Sequence, residues 1–242
     1  MQPLTLDRTE VCVWWAALDP PSDRLPERLA LLSDDEVARA NCYVFERHRL
    51  RYIAGRAYLR SLLGAALGLE PAQIEFEYSP LGKPALKKTY DGPELHFNLS
   101  NSENRAVVAL SWGRSVGVDL ELIRPMPDED DFARQFFCSS EVALLRSLSG
   151  WAKRKTFFEL WTSKEALLKA MGDGLTRSIN EVEVALQSGA SRLVSIAGDP
   201  RPAAGWQLSL FQPAPGYQAA LAVAGQGIRP RFYQAEGDFY PK

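Results

Sequence analysis

The sequence predicts an α+β fold made of two similar halves, each a small antiparallel sheet packed with helices, with a site in the cleft between them. One observation is that long helical patterns alternate with short, strand-like runs. Another is that a helix, a glycine turn and a strand occur in this order twice, at 62–78 and again at 167–186. Because helix–glycine–strand is also a common arrangement, a true repeat and a chance similarity both remain open.

In the first half, the dominant predicted element is a long amphipathic helix over Glu46–Leu67, which Gly68 ends as a C-cap. It follows a buried strand at Val11–Ala17 and two shorter helical patterns. A strand, a turn-rich loop and a pair of strands come after it. The further predicted boundaries are helices at 25–32 and 34–43, strands at 74–78, 96–99 and 106–112, the loop at 79–84 and a polar turn at 100–104.

The second half is predicted to repeat this organisation from residue 114 onward, so the expected domains are 1–113 and 114–242. It opens with a strand over Val116–Leu122 and a connection rich in proline and acidic residues. The tail 225–242 receives no assignment. The other predicted elements are the connection at 123–131, helices at 140–147 and 155–171, and strands at 182–186, 206–211 and 217–224.

Composition excludes several classes of protein. The 242 residues are 46% hydrophobic and 24% charged, with a net charge of −2, which argues against a dedicated nucleic-acid binder. Three scattered cysteines suit a reduced cytosolic protein better than a disulfide scaffold. No secretory signal or membrane-spanning run is visible. We therefore expect a cytoplasmic protein with neither a membrane nor a nucleic-acid partner.

Two acidic patterns suggest a cation site. Asp119 and Glu121 share one face of the predicted strand, and Glu165 precedes Lys169 by one helical turn. Taken separately, each has a simpler interpretation: a solvated strand face, and a surface ion pair contributing roughly 0.3–0.5 kcal/mol. Taken together, the three carboxylates match the preference of Mg²⁺ for oxygen ligands shared with a phosphorylated substrate, and Mn²⁺ is possible there too.

Two further patterns suit phosphate binding. Lys83 lies between Gly82 and Pro84 in a tight loop, and arginines are dense between Arg47 and Arg60. Guanidinium groups bind phosphate bidentately, although a solvated helix face is the better explanation for any one arginine taken alone. The chain has neither a Walker A loop nor a GxGxxG motif.

These motifs, in this order, resemble the 4′-phosphopantetheinyl transferases, and the length and two-half layout are similar to the Sfp-type branch. The pair formed by the Gly-Val-Asp-Leu-Glu and Trp-Thr-Ser-Lys-Glu-Ala-Leu-Leu-Lys motifs is the most specific part. The resemblance covers roughly residues 10–225. Its motifs lie at 45–47, 54–60, 82–84, 97–100, 116–121 and 161–169.

The resemblance implies an enzyme that moves the phosphopantetheine arm of coenzyme A onto a serine of an apo acyl or peptidyl carrier protein, releasing 3′,5′-ADP. It implies that Asp119, Glu121 and Glu165 hold Mg²⁺, and that Glu165 is the base, directly or through water. Lys169 would stabilise charge on the leaving phosphate, so the predicted catalytic residues are Asp119, Glu165 and Lys169. The predicted coenzyme A contacts are Arg47, Arg51, Arg56, Gly82, Lys83, Pro84, Ser100, Asn101, Lys164 and Lys169.

The chain departs from the family pattern at Asn101, where the family usually has histidine. An amide donates a hydrogen bond but carries no charge, so we expect coenzyme A binding to be retained but to be weaker or less sensitive to pH. A monomer is expected, since both halves lie in one chain. The basic run 153–155 either docks the carrier or solvates a helix N-terminus. Two alternative functions remain: a non-catalytic relative that binds carrier protein or coenzyme A, and a Mg²⁺-dependent phosphohydrolase.

Overall fold

The structure is a computed structural model that describes residues 10–19, 24–87, 94–172, 178–187 and 190–235. It confirms the predicted α+β class, because helices pack against small, mainly antiparallel sheets. The described strands are β1 (Val11–Ala17), β2 (Phe76–Tyr78), β3 (Pro84–Leu86), β4 (Leu95–Ser102), β5 (Arg105–Trp112), β6 (Val116–Leu122), β7 (Val182–Gln187), β8 (Ala190–Ile196), β9 (Trp206–Phe211), β10 (Tyr217–Ala224) and β11 (Arg231–Gln234).

The helices of the described chain lie between these strands. Short 3₁₀ turns at 71–73, 179–181 and 202–205 join some of the elements. None of the helices that the structure describes is both long and apolar enough to cross a bilayer. The α-helices are α1 (Leu25–Leu29), α2 (Asp34–Asn41), α3 (Glu46–Leu67), α4 (Glu129–Phe136), α5 (Ser139–Arg146) and α6 (Gly150–Met171).

The strands pair into separate sheets. One sheet has the order β11-β1-β5-β4, a second has the order β6-β10-β9, and β2-β3 and β7-β8 form two-stranded ribbons. All pairs are antiparallel except β1 and β11, which run parallel. Strands β4 and β6 belong to different sheets but lie side by side, and the acidic strand therefore runs along the boundary between the two halves.

The long helices α3 and α6 are similar in length and in the way they end. Each has 22 residues. Each stops at a glycine in the left-handed conformation, Gly68 with φ 68° and Gly172 with φ 79°. Glycine adopts this conformation without a Cβ clash, which is why it often ends helices. The two helix ends support the interpretation of the chain as two similar halves.

A buried ion pair at matching positions strengthens this similarity. Arg60 and Lys164 each lie 14 residues after the first residue of their helix, and each is at most 1% exposed. Arg60 Nε donates to Glu36 Oε2 of α2 at 2.5 Å, and Lys164 Nζ lies 2.6 Å from Glu141 Oε2 of α5. A buried charge needs such a partner, so both basic side chains anchor their long helix to the preceding short one.

Several element boundaries differ from the predictions. Helix α6 begins five residues earlier than expected, at Gly150. Helix α4 overlaps the end of the connection predicted at 123–131 and continues to Phe136, through residues that had no prediction. The phenyl rings of Phe132 and Phe136 in α4 pack against Trp161, and these contacts stabilise the helix. Its acidic first turn had been assigned to the polar connection before it. Strand β8 was not predicted either.

Strand β4 is the difference that matters most for the site. The predicted strand ended at Leu99 and was followed by a turn from Ser100, but the strand continues through Ser102. Its last residues pair with β5 in register, with Ser100 opposite Val107 and Ser102 opposite Arg105. The predicted turn was wrong for residues 100–102. Polar residues in sequence suggest a turn, but here Ser100 and Ser102 are strand residues whose side chains bond to β6.

Part of the unassigned tail also has a defined place. Residues 231–234 form β11, which joins the sheet of the first half and not that of the second. There Tyr233 stacks on Trp14 with ring centroids 5.1 Å apart, and Phe232 lies 4.9 Å from Phe211 of β9. The chain therefore returns to its first half at residue 231, whereas residues 236–242 lie outside the described part.

Candidate active site

Three motifs from both halves meet at one polar cluster. Lys169 Nζ of α6 lies 2.6 Å from Asp119 Oδ1 of β6 and donates to Ser100 Oγ of β4 at 3.1 Å. The Ser100 hydroxyl in turn donates to Asp119 Oδ1 at 3.0 Å. Asp119 is only 4% exposed, so this cluster is not the solvated strand face that the acidic pattern alone suggested. We call these three residues the central triangle.

The local sequence explains why β6 presents its acids here. Val116, Val118 and Leu120 point into an apolar core that β6 and β10 share with β1 and β5 of the first sheet. Alternation then places Gly117, Asp119 and Glu121 on the opposite side, under α6 and beside β4. A Cβ at Gly117 would overlap the carbonyl oxygen of Ala166 and would lie 2.9 Å from Ala170 Cα. Glycine therefore allows the helix that carries Glu165 and Lys169 to lie directly on the strand that carries the acids.

The other two acids lie close enough to the central triangle to be affected by its charge. Burial and then the negative charge of Asp119 raise the pKa of Glu121, while a hydrogen bond from Ser102 lowers it in part. Burial and the charge of Asp119 likewise raise the pKa of Glu165, and Glu121 adds to the effect. The charge of Asp119 therefore acts on both glutamates, and each of them binds a proton more readily than a free glutamate.

One carboxylate oxygen of the cluster is free to bind a divalent cation. In the described part of the chain, Asp119 Oδ2 is buried and has no hydrogen-bond partner. Such an atom is costly unless a ligand contacts it. The described residues form no group of three or more acidic, histidine or cysteine side chains that could hold a metal as they stand. Instead, the ammonium of Lys169 contacts Asp119 Oδ1. The carboxylates are therefore of the kind that binds a divalent cation, but one oxygen of Asp119 is paired with Lys169.

Lys83 lies next to α6 and connects the Gly-Lys-Pro loop to it. Its ammonium donates to the backbone carbonyls of Lys169 and, at 3.2 Å, of Ala170. These carbonyls belong to the last turn of α6, where the helix dipole favours a positive charge. Burial lowers the pKa of Lys83. Sequence analysis predicted a phosphate contact for Lys83, and the structure places it at the helix terminus beside the site.

A cavity opens next to this loop. It has a volume of about 270 Å³ and combines apolar walls with the side chains of Glu165 and Lys169. A second cavity of about 320 Å³ adjoins it and shares Lys83, Pro84 and Gly172. The first cavity is lined by Leu81, Gly82, Lys83, Pro84, Asn98, Glu165, Leu168, Lys169 and Gly172.

Two of the predicted coenzyme A contacts lie in buried structural pairs. Lys164 is fully buried, where it pairs with Glu141 and donates to the Ile179 carbonyl at 3.3 Å. Arg56 is 7% exposed, and its Nε donates to Glu36 Oε1 at 2.5 Å. Both side chains neutralise a buried glutamate, so neither is available for a ligand in the cleft. The structure thus corrects their assignment as coenzyme A contacts.

The remaining predicted contacts lie outside the central triangle. Arg51 is held by Asp19 at 2.6 Å and by Glu103 at 3.1 Å, which leaves its guanidinium committed to protein carboxylates. Arg47 is exposed near the start of α3. Asn101 is exposed and, by strand alternation, points to the opposite side of β4 from Ser100. The structure therefore brings Ser100, Lys83 and Lys169 together but not the arginines.

Sequence reasoning missed two polar residues of β4. Asn98 Oδ1 accepts a hydrogen bond from the Val118 amide at 2.8 Å, and Ser102 Oγ donates to Glu121 Oε2 at 2.9 Å. The signal was present as an alternation of Asn98, Ser100 and Ser102 in a strand whose other residues are mainly apolar. A polar face on a buried strand indicates a polar partner.

Family models match both halves of the chain. The model described as 4′-phosphopantetheinyl transferase superfamily matches residues 115–222. The model described as 4′-phosphopantetheinyl transferase, N-terminal, matches residues 16–112. The boundary between the two matches falls just before β6.

Individual relatives agree with these models. The chain is 44% identical over 230 residues to the 4′-phosphopantetheinyl transferase HetI of Nostoc sp., covering 95% of this chain and 94% of that protein. It is 25% identical over 206 residues to the 4′-phosphopantetheinyl transferase Sfp of Bacillus subtilis, covering 85% and 88%. A solved holo-(acyl-carrier-protein) synthase from Bacillus anthracis, in complex with CoA (3′,5′-ADP), is 22% identical with a TM-score of 0.38 and covers 46% of this chain and 94% of its own.

Proposed function

Because this chain belongs to the 4′-phosphopantetheinyl transferases and is of the Sfp type, we propose that it transfers phosphopantetheine from coenzyme A to a serine of a carrier protein, using the acids at the boundary between its halves. The observation that carries this proposal is the central triangle. Ser100, Asp119 and Lys169 come from three separate family-like motifs and from both halves, yet they share hydrogen bonds. Beside them lie Glu165 and a cavity of about 270 Å³.

Glu165 is the base in the proposed reaction. Burial and the nearby charge of Asp119 raise its pKa, which makes its carboxylate a better proton acceptor than a free glutamate. The carboxylate takes the proton of the carrier serine, directly or through water. The serine oxygen then forms a bond to the β-phosphorus of coenzyme A. The bond from that phosphorus to the bridging oxygen breaks, and 3′,5′-ADP leaves with the bonding electrons.

Lys169 and the two strand acids act on the pyrophosphate. Lys169 has its ammonium at the central triangle, where it can stabilise the negative charge that develops on the leaving phosphate. Asp119, Glu121 and Glu165 are the residues that would hold Mg²⁺, with the buried and unpartnered Oδ2 of Asp119 among the donor atoms. Bound there, the cation would supply a Lewis acid for the pyrophosphate oxygens.

Coenzyme A is proposed to lie along the two adjoining cavities. Gly82, Lys83 and Pro84 line the first of them together with Lys169. The apolar side chains of Leu81 and Leu168 in the same wall suit the pantetheine arm. Lys83 lines both cavities, and its ammonium would exchange the α6 carbonyls for phosphate oxygens when coenzyme A binds. Arg47 and Asn101 are exposed and stay in the proposal as outer contacts to the nucleotide.

The proposed functional unit is a monomer made of two halves, divided near residue 113. The central triangle already combines β4 of one half with β6 and α6 of the other, so the site needs no second chain. We further propose that the protein acts in the cytoplasm. This fits its three cysteines, Cys12, Cys42 and Cys138, which are all free.

The mass of a carrier protein tests the proposed function. Incubation of the protein with an apo carrier, coenzyme A and Mg²⁺ is expected to increase the carrier's mass by one phosphopantetheine group, and to release 3′,5′-ADP in equal amount. Carriers from fatty-acid, polyketide and nonribosomal-peptide synthesis should be tried in parallel, because the site does not indicate a particular one. No mass gain on any of them, with carriers shown to be competent by another transferase, would contradict the proposal.

A further inference from the structure

The boundary between β4 and β6 is sealed by side chains. The amides of Val118 and Leu122 in β6 point away from β10, toward an edge that no strand pairs with in the described chain. The Leu122 amide donates to Ser102 Oγ at 3.1 Å, and the Val118 amide donates to Asn98 Oδ1 at 2.8 Å. Midway, the Leu120 amide donates to Ser100 Oγ at 3.3 Å. Buried amides without such acceptors would be costly, so β4 supplies a side-chain ladder where a strand would otherwise pair.

Each serine of this ladder has a second bond, to a carboxylate of β6. Ser100 donates to Asp119 Oδ1 at 3.0 Å, and Ser102 donates to Glu121 Oε2 at 2.9 Å. A hydroxyl has one proton, so a backbone amide that donates to its oxygen turns that proton toward the acid. Ser100 therefore fixes the orientation of the Asp119 carboxylate, and Ser102 fixes that of the Glu121 carboxylate. In both cases the acid comes one residue before the residue of β6 whose amide donates to the serine. Asn98 has no such acid, because the corresponding position is Gly117.

From this geometry we propose that Ser102 is a positioning residue that holds Glu121 in the orientation needed for a divalent cation. The inference rests on the proposed function, because it assumes that Glu121 is a metal ligand. Residues that hydrogen-bond to metal ligands orient them, and their loss typically weakens metal binding or activity by about 10–100-fold. Ser102 contacts Glu121 and a backbone amide and lies outside the central triangle, so its effect reaches the reaction only through Glu121.

The test compares three variants of the full chain by their affinity for Mn²⁺. Manganese is titrated into each protein by calorimetry with saturating coenzyme A and without carrier, so that no transfer takes place. Ser102→Ala is expected to weaken Mn²⁺ binding by about tenfold. Ser102→Thr retains the hydroxyl and is expected to restore binding to within about twofold. Ser195→Ala is the matched control: it removes a bond of the same kind, from Ser195 Oγ to Glu183 Oε2 at 3.1 Å, on the β7–β8 ribbon. Neither residue lines either cavity, so this variant should leave Mn²⁺ affinity unchanged.

A transfer assay gives the second readout. In Ser102→Ala, the Mg²⁺ concentration that gives half the maximal rate should rise by about the same factor as the Mn²⁺ dissociation constant does. The value of kcat at saturating Mg²⁺ should stay within about threefold of the parent's. Equal Mn²⁺ affinity in Ser102→Ala and the parent would overturn the inference. Equal weakening in Ser102→Ala and Ser195→Ala would overturn it too, since the effect would then come from a general loss of stability and not from the orientation of Glu121. If the unmutated protein binds Mn²⁺ but transfers no phosphopantetheine, the proposed function is contradicted while the positioning role of Ser102 stands. If the unmutated protein binds no Mn²⁺, the positioning role is overturned.

Discussion

Replacement of Glu165 by glutamine is expected to reduce kcat/KM for phosphopantetheine transfer by about 10²–10⁴-fold, the usual contribution of a positioned general base. Glutamine keeps the size and the hydrogen-bonding oxygen but accepts no proton. Glu165 also lies near two other carboxylates, whose charges oppose its own. The metal-free variant is therefore expected to melt at a temperature equal to or above that of the parent, because one half-buried and repelled charge has been removed.

Steady-state kinetics with an apo carrier and calorimetric melting check both parts of this result. Glu159→Gln is the matched control: it is the same substitution in the same helix, but its carboxylate pairs with Lys155 at 2.9 Å and has no contact with the central triangle. The control should retain parental kcat/KM within about threefold. A Glu165→Gln protein with parental activity would mean that another group takes the serine proton, while inactivity joined to a large loss of stability would assign Glu165 a structural role.

Replacement of Gly117 by alanine is expected to damage both stability and activity, although it adds a single methyl group. The new Cβ would overlap the carbonyl oxygen of Ala166 and crowd Ala170 in the last turns of α6. Backbone atoms cannot turn aside as a flexible side chain does, so the helix must move away from β6. Overpacking of this kind costs about 1–3 kcal/mol. A displacement near 1 Å between Lys169 and Asp119 would reduce catalysis by about 10²-fold.

The matched control for this substitution is Gly55→Ala in α3. Gly55 is also buried, but a Cβ there would lie 3.8 Å from Leu18 Cδ2, which is an ordinary van der Waals contact. Alanine also stabilises a helix interior relative to glycine, so this control should keep its stability or gain slightly. Urea denaturation and the carrier assay measure both variants. If Gly117→Ala kept parental stability and activity, direct contact between α6 and β6 would not be what sets the site.

The comparison of prediction and structure shows which features a single sequence reveals. The acids and Lys169 were predictable because period-two and period-3.6 spacing place them on defined faces. Their convergence was not, because it depends on how β4 lies beside β6, and that contact is made by side chains with no periodic signal of their own. The same polar residues concealed the end of β4: Ser100 and Ser102 resemble a turn until their carboxylate partners are known.

Basic residues were the least predictable part of the site. Arg56 and Lys164 have the charge that phosphate binding requires, yet each is paired with a buried glutamate distant in sequence. Those glutamates, Glu36 and Glu141, occupy the first turn of short helices, where an acid normally suggests a capping role. Both do cap their helices, and both also neutralise a buried cation, which no local pattern reveals.

Anomalous diffraction from crystals grown with coenzyme A and Mn²⁺ would show whether the acids at the boundary act together on the pyrophosphate. We expect one manganese peak with carboxylate oxygens of Asp119, Glu121 and Glu165 among its ligands, Asp119 Oδ2 included, at about 2.1 Å or slightly longer. We also expect the ammonium of Lys169 to move from Asp119 to a phosphate oxygen. Manganese bound at another place, or coenzyme A bound with Lys169 still on Asp119 and no metal between the acids, would contradict the proposal.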